Sequence, residues 1–476
     1  MDVADGKTAD VGLIGLGTMG AMLALNMAEK GFTVAVYNRT TSVTHEFMAS
    51  AGDLAARLIA CETIETLVST LAPPRAVVLM VPAGKVVDDQ IAALTPHLDD
   101  ADLIVDAGNA NFHDTNRRAA HARAGGIPFM GIGVSGGEEG ARHGPAIMAG
   151  GTQDTFARMA PILNAIAAKY EGAPCAALMG PDGAGHFVKT VHNGIEYADM
   201  QIIAEAYGIM RDGLSYSAEA CGEVFSKWNE GALKSYLIEI SGKVATHLDP
   251  QSQKPMLDII ADRAGQKGTG RWTAIEAQHL GAPITVIEAA VAARNMSAQA
   301  QVRHAGESVF GRGSEPLAPG ALSLGELEGA LIAGKIVCYA QGFALIERAS
   351  AEFGWALPTP TIAQVWREGC IIRSAMLNDM ASALEAAPNT NLMFAPKFAA
   401  YLNAHIPALR KVAATAISAS HPVPALSAAI GYFDTMRTAR STANMIQAQR
   451  DFFGAHGFER VDQPGKDHHG PWAFNG

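Results

Sequence analysis

The sequence predicts an α/β fold in its first third, a large all-α region after it and a short C-terminal tail. Three observations carry that prediction. Apolar, β-branched runs alternate with helical stretches up to about residue 180; from His186 to about Arg450 the apolar spacing is helical almost throughout; and Gly454 to Gly476 has no period. Strands alternating with helices give a parallel sheet covered on both faces. The parts are assigned as 1–180, 181–450 and 451–476.

Within the first part, Val11–Ile14 reads as a strand, Met19–Lys30 as a helix stopped by Gly31, and Thr33–Tyr37 as a second strand. Further strands are expected at Ala76–Val81, Leu103–Asp106 and Pro128–Val134. Breaks in the helical region fall at Asp249-Pro250, Gly265–Gly270, Ser314–Gly320, Leu357–Pro360 and Ala387–Pro396. No short-period repeat suggests a solenoid. The tail is either frayed or docked on something.

A chain of 476 residues suggests about three domains, and two large ones fit equally well. With 49% hydrophobic and 17% charged residues it can bury a large core, which excludes a disordered chain. The net charge of -11 argues against generic binding to nucleic acid or anionic membrane. It leaves room for an anionic small substrate, since a few local cations outweigh a distant net charge. Cys61, Cys175, Cys221, Cys338 and Cys370 are scattered and form no C-x-x-C pair, so neither a disulfide framework nor a zinc site is expected. The opening residues lack a basic-then-apolar signal, and no uncharged apolar run reaches the roughly 18 residues of a membrane helix. A soluble protein of a reducing, cytoplasmic compartment is expected.

Gly15-Leu16-Gly17-Thr18-Met19-Gly20 is a complete G-x-G-x-x-G that follows an apolar strand and opens a helix. In that setting the glycines permit a tight turn and let backbone N–H groups approach a pyrophosphate at the helix N-terminus. A Rossmann-like dinucleotide-binding domain follows. At the end of the second strand, where an NAD site usually places Asp or Glu, this chain has Asn38-Arg39-Thr40. An arginine and a hydroxyl suit a 2′-phosphate, and no carboxylate repels it, so NADP is the expected cofactor. The plain alternative is a solvated arginine on a loop.

The most informative segment runs from His186 to Tyr197. Lys189, His192, Asn193 and Glu196 fall at i, i+3, i+4 and i+7, so a helix puts all four on one face. A solvated face could carry Lys and Glu, but it seldom adds His and Asn within an Ala/Ile-rich helix. Such a face suits hydride-transfer chemistry, in which a base must remove a hydroxyl proton. Lysine serves only if neutral, so its reference pKa of about 10.4 must fall by roughly three, at about 4 kcal/mol. Glu196 is available as an acid.

Together, Gly133-Val134-Ser135-Gly136-Gly137-Glu138-Glu139-Gly140-Ala141-Arg142, the Lys189–Tyr197 face, Gln266-Lys267-Gly268-Thr269-Gly270 and Gln449-Arg450-Asp451-Phe452-Phe453-Gly454-Ala455-His456 resemble decarboxylating 6-phosphogluconate dehydrogenases. The resemblance spans nearly the whole chain. It implies oxidative decarboxylation of 6-phospho-D-gluconate to ribulose 5-phosphate and CO2 with reduction of NADP, without a metal, in the pentose phosphate pathway. It also implies a homodimer whose tail inserts into the partner subunit. By resemblance Lys189 is the general base and Glu196 the general acid. Ser135, Gly136, Gly137, His192 and Asn193 hold the sugar acid. Tyr197, Lys267, Thr269 and Arg294 bind the substrate phosphate, joined by Arg450 and His456 from the other subunit, and Asn109 touches both cofactor and substrate.

The chain departs from the family pattern in places. After the fourth strand it reads Val81-Pro82-Ala83-Gly84-Lys85, where members often carry Lys at the position of Pro82; Val81, Pro82 and Ala83 remain expected cofactor contacts. Asp106-Ala107-Gly108-Asn109-Ala110 replaces the usual Asp-Gly-Gly-Asn-Ser, and Ala149 stands where Pro is common. Two other functions share part of this pattern. A β-hydroxyacid dehydrogenase for a smaller, unphosphorylated acid has no use for Lys267, Arg450 or His456, and a silent NADP-binding sensor has no use for Lys189 and Glu196. The pair His468-His469 is expected to lie in a solvated tail.

Overall fold

The computed structural model describes residues 8–266 and 268–472. Its larger sheet is built from β1 (Val11–Ile14), β2 (Val34–Tyr37), β3 (Leu58–Cys61), β4 (Ala76–Leu79), β5 (Leu103–Asp106), β6 (Phe129–Val134) and β7 (Ile147–Gly150). A small hairpin of β8 (Lys169–Tyr170) and β9 (Ala173–Pro174) precedes the last strand, β10 (Ala176–Gly180). The order across the sheet is β10-β7-β6-β5-β4-β1-β2-β3.

The apolar runs are continuous because both faces are covered. Val11, Leu13, Val34, Val36 and Val105 pack on one side, and Ile14, Ala35, Val77, Leu79 and Ile104 on the other. The expected strands are present with ends shifted by up to two residues, and the N-terminal Rossmann-like architecture followed by helices is as expected. Two corrections apply. β3, β7 and β10 were not foreseen, and the sheet is not wholly parallel, since β7 runs antiparallel to β6. The link between them carries only the seven-residue helix Gly137–His143. Such a helix spans roughly 10 Å, too short to return the chain along a six-residue strand of about 20 Å.

Beyond the sheet, the helix Ala184–Gly208 is buried along most of its 25 residues. It packs on β6 and β7 at one end and on the helix Leu324–Phe353 along its length. Close approach to β6 requires Gly133, where a methyl group would collide with the Lys189 side chain. Two carboxylates fix the rest of the helix. Asp199 Oδ2 accepts from Lys335 Nζ at 2.5 Å with both side chains buried. Glu205 accepts from the N–H groups of Ala425 and Leu426, at 2.8 and 2.9 Å, where a later helix begins.

Leu324–Phe353 is long and apolar enough to cross a membrane, but 94% of its apolar window is buried inside the protein, as in a core helix. Lys335 interrupts its apolar stretch, so no uncharged run in it reaches membrane length.

The chain divides into two compact units, one ending at Ala429 and one beginning at Ile430. In the second, the helix Ala443–Gly454 is followed by a segment that folds back, with Phe458 and His468 paired through their backbones. The tail is thus docked rather than frayed, and on its own preceding helix.

Lys335→Met strands the Asp199 carboxylate in an apolar interior. It should lower stability by about 3–5 kcal/mol, most of it recovered when Asp199→Leu is added. Urea midpoints of the two variants and the parent protein measure this.

Candidate active site

The glycine turn joins β1 to the helix Thr18–Glu29. Gly15 has φ +101°, and a methyl on Gly20 would run into the carbonyl of Gly15, so both are needed for the turn to close. Gly17, the N-cap, faces open space, with nothing within 4 Å of where a Cβ would sit. Backbone N–H groups of Thr18 and Met19 at this helix start are free to meet an anion. The donor set therefore fits a pyrophosphate.

At the end of β2 the three expected residues divide their work. Asn38 Oδ1 accepts from the Leu16 N–H at 3.1 Å, and its Nδ2 donates to the Thr40 carbonyl at 3.2 Å. Its carboxamide therefore holds the glycine turn against β2. Arg39 is exposed and has no partner among the described residues, which leaves its guanidinium free for a ligand. Thr40 is the N-cap of Thr41–Ser50, with its hydroxyl uncommitted to the cap.

Two further loops are tied by one buried arginine. Arg118 donates from Nε to Asp88 at 2.9 Å, from Nη2 to the Gly84 carbonyl at 2.9 Å, and from Nη1 to Asp106 at 3.4 Å. Asp106 in turn accepts from the Gly108 N–H at 3.1 Å. Gly108 lies so near the Val81 carbonyl that a Cβ would sit 2.9 Å from it. The structure thus brings Val81, Pro82 and Ala83 beside the loop that carries the exposed Asn109. Lys85 binds Asp89 one turn on, at 2.5 Å, and is committed there.

The polar face of the Ala184–Gly208 helix is buried, not solvated. Lys189 Nζ donates to Asn193 Oδ1 at 2.7 Å and to Ser135 Oγ at 3.0 Å, and lies 3.3 Å from His192 Nδ1. His192 Nε2 is 3.3 Å from Ser135 Oγ. A neutral imidazole protonated at Nε2 satisfies both contacts, accepting from the lysine and donating to the serine. Burial pushes His192 well below its usual value, and Lys189 beside it adds to that.

Burial also lowers Lys189 from its usual value, against the pull of Glu196 and Cys370, and so favours the neutral amine. Glu196, its Oε2 3.9 Å from His192 Nδ1, is raised by burial, partly opposed by Lys189 and Arg294. One face therefore holds an amine pushed toward neutrality and a carboxyl pushed toward protonation, which is the arrangement that acid–base chemistry requires.

The remaining expected residues are divided along the chain: some lie on elements of the first compact unit, others in the second. Gly136, at φ +108°, starts the short helix after β6, and a Cβ there would lie 2.7 Å from the Gly369 carbonyl; Gly137 faces open space. Arg294 stacks on Tyr197 with Cζ 3.5 Å from the ring centroid, and Gly270 fits against the same ring, which places Thr269 beside it. Lys267 lies outside the described residues. Arg450 and His456 belong to the second compact unit, where Arg450 Nη1 donates to Gln447 Oε1 at 3.1 Å and His456 meets Phe453 edge to face.

Comparison with known proteins gives the family. The family model for the NAD binding domain of 6-phosphogluconate dehydrogenase matches residues 10–180, and that for the 6-phosphogluconate dehydrogenase C-terminal domain matches residues 185–472. The decarboxylating 6-phosphogluconate dehydrogenase of Haemophilus influenzae is 46% identical over 98% of this chain and 97% of its own. The chain belongs to the 6-phosphogluconate dehydrogenase family.

A solved structure agrees. The Plasmodium falciparum 6-phosphogluconate dehydrogenase, described in its apo form, with its cofactor NADP+ and with its substrate 6-phosphogluconate, superposes with a TM-score of 0.94. It is 38% identical, covering 97% of this chain and 100% of that one. Two Bacillus subtilis members sharpen the cofactor question. One is named NADP(+)-dependent and is 45% identical; the other is named NAD(+)-dependent and is 44% identical. Overall similarity does not separate the two nucleotides.

Some of the site was not foreseen. Arg118 gave no signal beyond one of two adjacent arginines in a polar helix. Cys370, buried beside Lys189 with its thiol pushed up to about 12, was one of five scattered cysteines. Trp366, edge-on to His192 at 5.7 Å, comes from a helix far along the chain. His469 was expected in solvent and instead binds Asp451, Nδ1 to Oδ1 at 2.6 Å; a fold-back of the tail has no periodic signature.

Because the folded state lowers Lys189, the unfolded chain binds more protons between the folded value and the unfolded one near 10.4. Stability of the parent protein should therefore rise with pH across that window relative to Lys189→Met, which has no such proton to lose. Urea unfolding of both proteins at pH 7 and pH 9.5 measures it: the difference should move in the parent's favour at the higher pH.

Proposed function

We propose that this chain catalyses the oxidative decarboxylation of 6-phospho-D-gluconate to D-ribulose 5-phosphate and CO2 with NADP, using Lys189 as general base and Glu196 as general acid. The observation that carries the reading is the buried face on which Lys189 is pushed toward the neutral amine and Glu196 toward the neutral acid. Family membership and the substrate and cofactor of the Plasmodium relative support it.

When bound, NADP accepts a hydride from carbon 3 of the sugar acid. Lys189 takes the proton of the carbon 3 hydroxyl, with Ser135, Asn193 and His192 holding its amine in place. The product is a 3-keto acid, and the keto group β to the carboxylate accepts the electron pair left as CO2 departs. This electron sink makes a metal unnecessary. Protonated Lys189 returns its proton to the developing oxyanion, and Glu196 then protonates carbon 1 of the enediol. Ser135, Gly136, Gly137, His192 and Asn193 orient the sugar acid, and Asn109 lies between cofactor and substrate. Tyr197, Lys267, Thr269 and Arg294 hold the phosphate through charge-assisted hydrogen bonds. Arg450 and His456 of the partner subunit complete that site in a cytoplasmic homodimer, with 1–180 serving the nucleotide, 181–450 the substrate and 451–476 the reach between subunits. The Gly15–Gly20 turn takes the pyrophosphate, and Arg39 with Thr40 takes the 2′-phosphate.

Incubating the protein with 6-phosphogluconate and NADP should release CO2 and NADPH in equal amounts. Lys189→Arg, which cannot give up its proton, should reduce kcat by about a thousandfold or more while the Kd for NADP stays within about twofold. Appreciable turnover in that variant would remove Lys189 as the base.

The nucleotide site has its own test. Arg39→Ala should weaken NADP by about 1.5–3 kcal/mol and leave NAD nearly unchanged. Asn38→Ala, which loosens the glycine turn, should weaken both alike. Calorimetric titration with each nucleotide separates these outcomes, and equal losses for Arg39→Ala would contradict a 2′-phosphate contact.

A further inference from the structure

Within the second compact unit, the helix Ala443–Gly454 buries a single residue, and that residue is Asp451. Its apolar neighbours are turned outward: Met445, Ile446, Phe452 and Phe453 are all exposed. An apolar core therefore does not hold this segment together. What the helix offers the folded-back tail is one carboxylate.

The tail meets that carboxylate with four donors. Oδ1 accepts from the Gly457 N–H at 3.0 Å and from His469 Nδ1 at 2.6 Å; Oδ2 accepts from the Gly470 N–H at 2.8 Å and from Trp472 Nε1 at 2.9 Å. Three of the partners are fixed donors and His469 donates in the tautomer protonated at Nδ1, so only the ionised carboxylate satisfies all four. These bonds, that of the Gly470 N–H foremost, hold its pKa down to about 2. Gly470 is pressed against the Trp472 indole, and Gly457 takes a positive φ of +67° to turn its N–H inward. Gln447 adds a bond from Nε2 to the Gly457 carbonyl at 2.5 Å.

The placement of two other residues gives this hub its meaning. Arg450 immediately precedes Asp451, and His456 immediately precedes Gly457, whose N–H the hub grips. We propose that Asp451 is a positioning residue: with His469 and Trp472 it locks the tail into a mount that presents Arg450 and His456 together to a substrate phosphate. The inference rests on the reading of Arg450 and His456 as phosphate contacts. It gives the tail histidine a mechanical role and requires no metal at His468-His469.

The test uses the full-length enzyme with Asp451→Asn, His469→Gln, Trp472→Phe and Arg450→Ala, each assayed for kcat and for the KM of both 6-phosphogluconate and NADP, with a melting temperature for each. Asp451→Asn turns an N–H toward groups that are all donors. It should raise the KM for 6-phosphogluconate about tenfold or more, with the KM for NADP within about twofold; His469→Gln and Trp472→Phe should shift it the same way by less. If Arg450→Ala leaves that KM unchanged, the phosphate-contact reading fails, and the inference with it. If Arg450→Ala raises it while the hub variants only lower the melting temperature, the contact reading stands and the positioning role is wrong. Should Asp451→Asn fail to fold, the two single-donor variants decide: unchanged KM in both overturns the proposal.

Discussion

The constraint on which the rest depends is the removal of Lys189 from water. A helix normally turns apolar side chains toward a sheet; here His186 and Lys189 meet β6 and His192 reaches Ser135 just beyond it, all three buried. Burying such groups is costly unless each finds a partner. The protein meets this need within the site itself, through Ser135 on one side and Asn193 on the other. Gly133 brings the sheet close enough for water to be excluded. Helix position is then fixed from outside the site, by Lys335 on Asp199 and by two backbone donors on Glu205. The rigid frame and the tuned amine are thus one arrangement.

The nucleotide side obeys a second geometric rule. The strand order reverses between β1 and β4, and the loops leaving their carboxyl ends are Gly15–Gly20 and Val81–Gly84. A crevice at such a switch point is where open parallel sheets take their ligands. The loop after β5, carrying Asn109, joins them because Arg118 grips the Gly84 carbonyl and Asp106 together. One buried guanidinium thereby couples the spacing of two loops, and a cofactor lying across them meets a preset surface.

Much of this was legible in the sequence, for identifiable reasons. The glycine turn and the strands beside it carry strong local signals: apolar runs, then a fixed pattern of residues without side chains. The face from Lys189 to Glu196 was legible because a helix converts spacing into adjacency. Long-range partnerships were not. Nothing near Arg118 in the sequence points to Gly84, nothing near Cys370 points to Lys189, and nothing near Asn38 shows that its carboxamide bonds back to Leu16. β3 was missed because at the sheet edge only its end residues are buried. β7 went unforeseen because a four-residue strand of Ile, Met, Ala and Gly has no distinctive period.

The same burial acts on a lysine and a histidine side by side, with different consequences for each. Desolvation lowers both, because it penalises the positive form of each. A group that starts at 6.5 and is pushed well below it favours the neutral imidazole, which accepts at one nitrogen and donates at the other. A group that starts at 10.5 and is pushed down moves toward the range where proton uptake and release are both accessible. Glu196 travels the opposite way from the same cause, since burial penalises its negative form. Burial therefore sorts three adjacent ionisable side chains toward a neutral amine, a neutral carboxyl and a neutral imidazole. The sorting follows from their intrinsic values and needs no separate device for each.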